Sequence, residues 1–202
     1  MMRAPFIAAL CLAAAIPAAA QMKPGSPAIE AAKGGQYAVE PYHTRVQFTV
    51  SHMGITEWWG DFTGASGTLA LDVRNVTNSR VEITIPVASV TTTNAKLDDE
   101  LRSAQWFDAA KYPQIHFVSR TITRTGPRNA RIEGALTFHG VTRPVTLEAS
   151  FMGGGTNPMS KSYNVGFNAT THLKRSDFGF TTAEPMIGDD VALRISAAFE
   201  TH

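Results

Sequence analysis

A single cysteine, Cys11, occurs in the 202 residues, and it falls within a segment expected to be removed. The rest of the chain therefore has no disulfide, no thiolate nucleophile and no sulfur ligand for a metal. Net charge is almost absent too. Eighteen Lys and Arg stand against seventeen Asp and Glu, which leaves no electrostatic footprint for nucleic acid or an anionic membrane surface. No stretch beyond the N-terminus approaches the roughly 20 apolar residues of a spanning helix, so stable membrane insertion is not expected. There is no Gly-x-Ser-x-Gly elbow and no phosphate-cradling glycine loop. The six histidines show neither His-x-His nor His-Glu-x-x-His spacing. The expectation is a protein without catalytic residues, metal ligands or a resident cofactor.

The first twenty residues read as an export signal. Arg3 supplies a short positive region, residues 4–16 are apolar, and Ala18-Ala19-Ala20 offers the small residues that a signal peptidase needs, so the cut is placed before Gln21. Leu10 precedes Cys11 where lipoprotein processing wants a small residue, which argues against a lipid anchor. A small-residue cleavage site in a chain without disulfides suits a bacterial periplasm. Residues 21–36, rich in Pro, Gly, Ala and Lys, read as a disordered leader, and 37–202 as the folded domain.

From Tyr37 onward the period is two. Val46, Phe48, Val50 and His52 alternate with Gln47, Thr49 and Ser51, and Val191, Leu193, Ile195, Ala197 and Phe199 repeat the pattern near the other end. Similar alternation covers 81–87, 131–138 and 145–151, and further strands are expected at 61–72, 114–124 and 163–173. This is the pattern of antiparallel strands with one wet face. About eight of them can close as a barrel or pack as a sandwich. Gly153-Gly154-Gly155 reads as a flexible turn. Residues 94–112 break the period and predict a helix, capped by Thr93 or Asn94 and stopped by Pro113. One helix in an all-β chain suits a lid over an open end.

Aromatic residues are spread over most elements. An eight-stranded barrel is just wide enough to be filled by side chains or to hold one small ligand, and composition leaves both open. His52, His116, His139 and His172 lie on or beside four different expected strands. They predict separate histidines; their convergence on a metal would instead make a hydrolase or oxidoreductase.

The order of short motifs resembles the YceI-like family of periplasmic isoprenoid-binding proteins. The match runs through Val46-Gln47-Phe48-Thr49-Val50-Ser51-His52, Gly60-Asp61-Phe62, Asp99-Glu100-Leu101-Arg102-Ser103, Trp106-Phe107-Asp108 and Tyr112-Pro113-Gln114-Ile115-His116-Phe117. It continues through Gly134-Ala135-Leu136-Thr137-Phe138-His139-Gly140, Lys174-Arg175-Ser176-Asp177-Phe178-Gly179 and Gly188-Asp189-Asp190-Val191. Glu100, Gln105 and Trp106 depart from residues common in the family. The resemblance implies a lipocalin-like antiparallel barrel with an apolar tunnel for a polyisoprenoid, quinone or similar lipid, and no enzyme activity. Val50, Phe62, Trp106, Phe107, Phe117, Phe138 and Phe167 are then expected to line the tunnel, with His52, His139 and Arg175 as polar contacts for a head group at its mouth. Arg175 has a second reading, a local pair with Asp177 that pins a turn. The Trp58-Trp59 pair is a candidate homodimer contact. A third functional reading is a filled, ligand-free barrel acting in a stress response through its surface.

Overall fold

The computed structural model describes residues 24–201, so the expected export signal and its cut before Gln21 lie outside the described residues. Eleven strands follow in order: β1 (Gly25–Ser26), β2 (Gly35–Val39), β3 (Arg45–His52), β4 (Thr56–Phe62), β5 (Ser66–Leu71), β6 (Arg80–Pro86), β7 (Gln114–Arg124), β8 (Asn129–Phe138), β9 (Val141–Thr156), β10 (Tyr163–Lys174) and β11 (Ile187–Glu200). One α-helix, α1 (Ala95–Arg102), lies between β6 and β7. Every pairing is antiparallel.

Eight strands close a barrel in the order β2-β5-β6-β7-β8-β9-β10-β11, with β11 returning to β2. Closure leaves the barrel strands no free edge. The long β11 serves two neighbours: Phe199 and Glu200 pair with β2, whereas 187–196 run along β3. The β3–β4 hairpin thus replaces β2 at one end. There Asp61 of β4 bridges to Thr91, beside α1, and this is the lid end.

The alternation reaches three dimensions as expected of a pleated strand. Phe48, Val81, Ile85, Val145, Ala149, Phe151 and Phe199 are buried inside. Many outward positions are polar: Arg131 of β8 pairs with Glu148 of β9 at 2.8 Å, and His116 of β7 meets Glu82 of β6 at 2.9 Å. A membrane barrel has the opposite polarity, with an apolar band facing out. Among the described residues no helix is long and apolar enough to cross a membrane.

Four expectations about local structure need correction. The stretch predicted as one strand over 61–72 is broken between β4 and β5 at Gly64, which has φ +65°. The helix predicted over 94–112 is only α1, two turns long. It is capped by the Asn94 side chain, which accepts from the Leu97 N–H, and 103–112 continue as turns that swing Trp106 and Phe107 back toward the barrel.

The glycine triplet is not a turn, and the segment before it is not wholly without structure. Gly153, Gly154 and Gly155 sit inside β9 and pair with β10 on one side. On the other, Gly154 and Gly155 pair with β1. A Cβ on Gly154 would lie 2.3 Å from the Ala31 carbonyl oxygen, and one on Gly155 would lie 2.2 Å from that of Pro24. The triplet is a shallow groove, and residues 24–34 lie in it as a strap across the end opposite the lid. Tyr163 Oη donates to the Ala31 carbonyl at 2.7 Å, Tyr37 Oη donates to that of Lys33 at 2.8 Å, and Ile29 and Ala32 pack against the core. A Gly154→Val substitution should therefore expel the strap and leave the barrel closed. The expected readout is rapid hydrogen exchange across 24–34 and fast tryptic cleavage after Lys33, with the other strands still protected; full protection of the strap would refute the groove.

Candidate functional site

The inward faces of the strands do not fill the barrel. A cavity of about 720 Å³ runs from the lid end to the strap, lined almost wholly by apolar side chains of the barrel strands, of β3 and β4, and of the strap. That is within the range of about 300–1,000 Å³ that holds drug-sized molecules.

The lid end is stoppered by aromatic rings. Phe62 stands 5.8 Å from Phe107, which is 5.3 Å from both Phe138 and Phe180; Phe138 and Phe180 are 4.8 Å apart. These tilted and edge-on arrangements suit the quadrupoles of the rings. Phe107 reaches the group because the turns after α1 fold back, and Phe180 because the loop after β10 folds over. The two segments touch where the Thr182 hydroxyl donates to the Gln105 carbonyl at 3.1 Å.

Two carboxylates fasten this lid, Asp98 buried and Asp189 half-buried. Asp98 of α1 accepts from the Thr92 hydroxyl at 2.7 Å and from the Thr92 N–H at 2.6 Å, and these bonds, the hydroxyl foremost, hold its carboxyl below the ordinary value of 3.8 against the effect of burial. Asp189 of β11 accepts from the Ser176 N–H at 2.8 Å and its hydroxyl at 2.9 Å; the N–H foremost, helped by Lys174, lowers it in the same way. A depressed carboxylate contributes stability that is complete above the ordinary value and lost as pH falls through the lowered one. The lid should therefore loosen in acid below about pH 4. Thermal melts across pH 2–7 should show stability falling there, and Asp98→Asn with Asp189→Asn should be weaker at neutral pH but flatter in acid. An unchanged acid slope would sink the idea.

Eight of the ten residues singled out from the sequence line the cavity: Val50, Phe62, Trp106, Phe107, Phe117, Phe138, Phe167 and Arg175. His52 and His139 do not. His52 ends β3, opposite Thr56 and Ile187. His139 is the first residue of the two-residue turn between β8 and β9. Its φ is +52° and that of Gly140 is +74°, the mirror-image turn that matches strand twist. Its ring packs at 4.4 Å from Tyr112 and 4.7 Å from Phe180, so it supports the stopper from outside. His116 and His172 face outward on β7 and β10, and among the described residues no three His, Cys, Asp or Glu stand together to hold a metal. The converging-histidine reading has no geometric basis here.

Arg175 borders the cavity, but its guanidinium is engaged. Only 7% exposed, it donates to the carbonyls of Phe180 at 2.7 Å, Ile187 at 2.9 Å and Gly188 at 2.9 Å, with Glu184 at 3.7 Å. The expected partner, Asp177, is not among these. The side chain pins the loop 179–188 rather than waiting for a head group. Trp58 and Trp59 are 39% and 44% exposed on β4, beside exposed Ile55. Sequence reasoning missed the cavity residues of the strap and of the β7–β8 hairpin: Ile29, Glu30, Arg124 and Arg128. Only Ile29 carried a signal, as a lone large apolar residue in a polar leader.

The YceI-like domain family model matches residues 37–199. The chain is 38% identical over 157 residues to protein YceI of Salmonella arizonae, covering 78% of this chain and 81% of that protein. Among solved structures it superposes on BcnA of Burkholderia cenocepacia with a TM-score of 0.71 and 25% identity, covering 79% of this chain and 98% of BcnA. A polyisoprenoid binding domain from Saccharophagus degradans, implicated in plant cell wall breakdown, shares the fold at a TM-score of 0.63 and 14% identity, over 82% of this chain and 98% of that domain.

Proposed function

The chain belongs to the YceI-like domain family, and from that premise we propose that it is an exported, periplasmic carrier or reservoir for a long apolar molecule, a polyisoprenoid, quinone or similar lipid, rather than an enzyme. The observation that carries this reading is the apolar cavity of about 720 Å³ that spans the barrel. Each CH₂ moved from water into such a lining is worth about 0.8 kcal/mol. A five-carbon isoprene unit then contributes on the order of 4 kcal/mol, so a few units offset an association cost of about 4–15 kcal/mol. No strong polar contact is needed along the tail. The polyisoprenoid-binding description of the Saccharophagus degradans domain agrees with this ligand class. An unfilled interior also favours this reading over a barrel that acts only through its surface.

Native mass spectrometry of the protein from the osmotic-shock fraction of its own cells, followed by organic extraction, tests the reading. One long-chain lipid per chain is the expected result, and a mass near twice the chain that Trp58→Ser with Trp59→Ser returns to that of one chain would assign the exposed Trp58-Trp59 face to a homodimer. A clean apo mass that stays clean after incubation with prenyl lipids would overturn it, and absence from that fraction would overturn the periplasmic location.

A further inference from the structure

The cavity is not equally open at its two ends. Its solvent-exposed lining residues, Glu30, Arg124, Pro127, Arg128 and Asn129, all lie at the strap end. At the lid end the lining includes Arg175, Phe178 and Phe180, all buried. The water-facing mouth is therefore formed by the strap and the β7–β8 hairpin, on the far side of the barrel from His52, His139 and Arg175.

Two arginines border that mouth. Arg124 Nη1 donates to the Pro127 carbonyl at 3.2 Å and Nη2 to that of Val73 at 3.4 Å, which leaves its Nε–H uncommitted. Arg128 Nε and Nη2 donate to the Phe151 carbonyl at 3.0 and 2.5 Å, and Nη2 also to Met152 at 3.3 Å, so Nη1 keeps both hydrogens for another acceptor. Among the described residues neither arginine is in an ion pair. Among the described residues Glu30 is the single carboxylate in the lining, against Arg124 and Arg128 at the same mouth. Guanidinium N–H groups beside an apolar channel match an acceptor-only, negatively charged group, and their planar fork suits phosphate and carboxylate oxygens.

We propose that this mouth holds the anionic head group of the bound lipid, a phosphate or carboxylate, between Arg124 and Arg128, with the tail running inward to the Phe62, Phe107 and Phe138 stopper. The assignment rests on the lipid-carrying reading and adds the head-group chemistry and the direction of the ligand. The loop-bracing bonds of both arginines hold the guanidinium planes in place, so little side-chain freedom remains to be lost when an anion arrives.

Calorimetric titration of the full mature chain with a prenyl monophosphate, the prenyl alcohol of equal length, and inorganic phosphate tests this. The phosphate lipid should bind about tenfold tighter than the alcohol, and the margin should shrink as salt is raised from 0.05 to 0.5 M. Arg124→Gln with Arg128→Gln should erase the margin by bringing the phosphate lipid down to the affinity of the alcohol, with a circular dichroism melt reporting an intact barrel. Arg124→Gln alone should erase part of it, and Arg131→Gln, on the outer face, none. Equal affinities of the two lipids for the natural chain, or a margin that survives the double substitution, would overturn the head-group assignment alone. Inorganic phosphate binding as tightly as the prenyl phosphate would also overturn it, by making the anion site independent of the lipid. Uptake of neither lipid would overturn the carrier reading and this assignment with it.

Discussion

Replacing Leu193 with tryptophan should weaken binding of a long apolar ligand roughly a hundredfold and leave the barrel folded. Leu193 faces the cavity midway along β11, opposite Phe48 of β3 on one side and Thr171 of β10 on the other. An indole there occupies space that a lipid tail needs. Each CH₂ that the ligand can no longer bury forfeits about 0.8 kcal/mol, so displacing four weakens binding by about 3 kcal/mol, roughly a hundredfold. Enlarging a side chain in a packed core usually costs about 1–3 kcal/mol through strain. Here the extra atoms enter a void, and the thermal midpoint should hold or rise. Titration with a prenyl alcohol, paired with a circular dichroism melt, reads both effects. Normal affinity in a folded Leu193→Trp chain would mean that the ligand does not enter the barrel.

Arg175→Met is expected to do the reverse, damaging stability far more than ligand selectivity. The substitution keeps a side chain of comparable length but removes the donors to the carbonyls of Phe180, Ile187 and Gly188, and it leaves Glu184 without its cation. Removing one partner of a buried charged network costs about 3–5 kcal/mol, because the acceptors left behind have lost water as well. For a domain of this size that lowers the midpoint by roughly 10 °C. Arg175→Lys should recover little, since a single ammonium cannot reach three divergent carbonyls. Hydrogen exchange should rise first across 179–188. A melt unchanged from the natural chain, together with a lost preference among head groups, would restore Arg175 as a ligand contact.

The contrast between those two positions shows how far the sequence could be read. At Leu193, period-two alternation was enough: an antiparallel strand puts every second side chain on one face, so Val191, Leu193 and Ile195 had to share a surface. Val50, Phe117, Phe138 and Phe167 followed by the same parity, and the YceI-like motif order supplied the barrel that turned a shared face into a shared interior. Strand parity is local, and local rules are written in the sequence.

What the tertiary structure decided is everything that depends on where chain ends and loops come to rest. Arg175 carried two readings from the sequence, a head-group contact or a pair with Asp177, and neither named its partners, because the carbonyls that engage it belong to a loop whose path no local rule specifies. Trp106 and Phe107 were placed on a long helix; after α1 the chain instead turns, and packing against Phe62 and Phe138 outweighs continued helix. Three consecutive glycines read as a flexible turn, since their conformational freedom is visible in the sequence and the carbonyls of Pro24 and Ala31 that need the missing Cβ atoms are not. The direction of the cavity was hidden for the same reason. Which end a lid stoppers and which end a strap leaves open to Arg124 and Arg128 is set by contacts between segments more than a hundred residues apart, such as Tyr163 with Ala31. Alternation along the strands therefore determined the apolar interior, and long-range closure determined which way the cavity faces water.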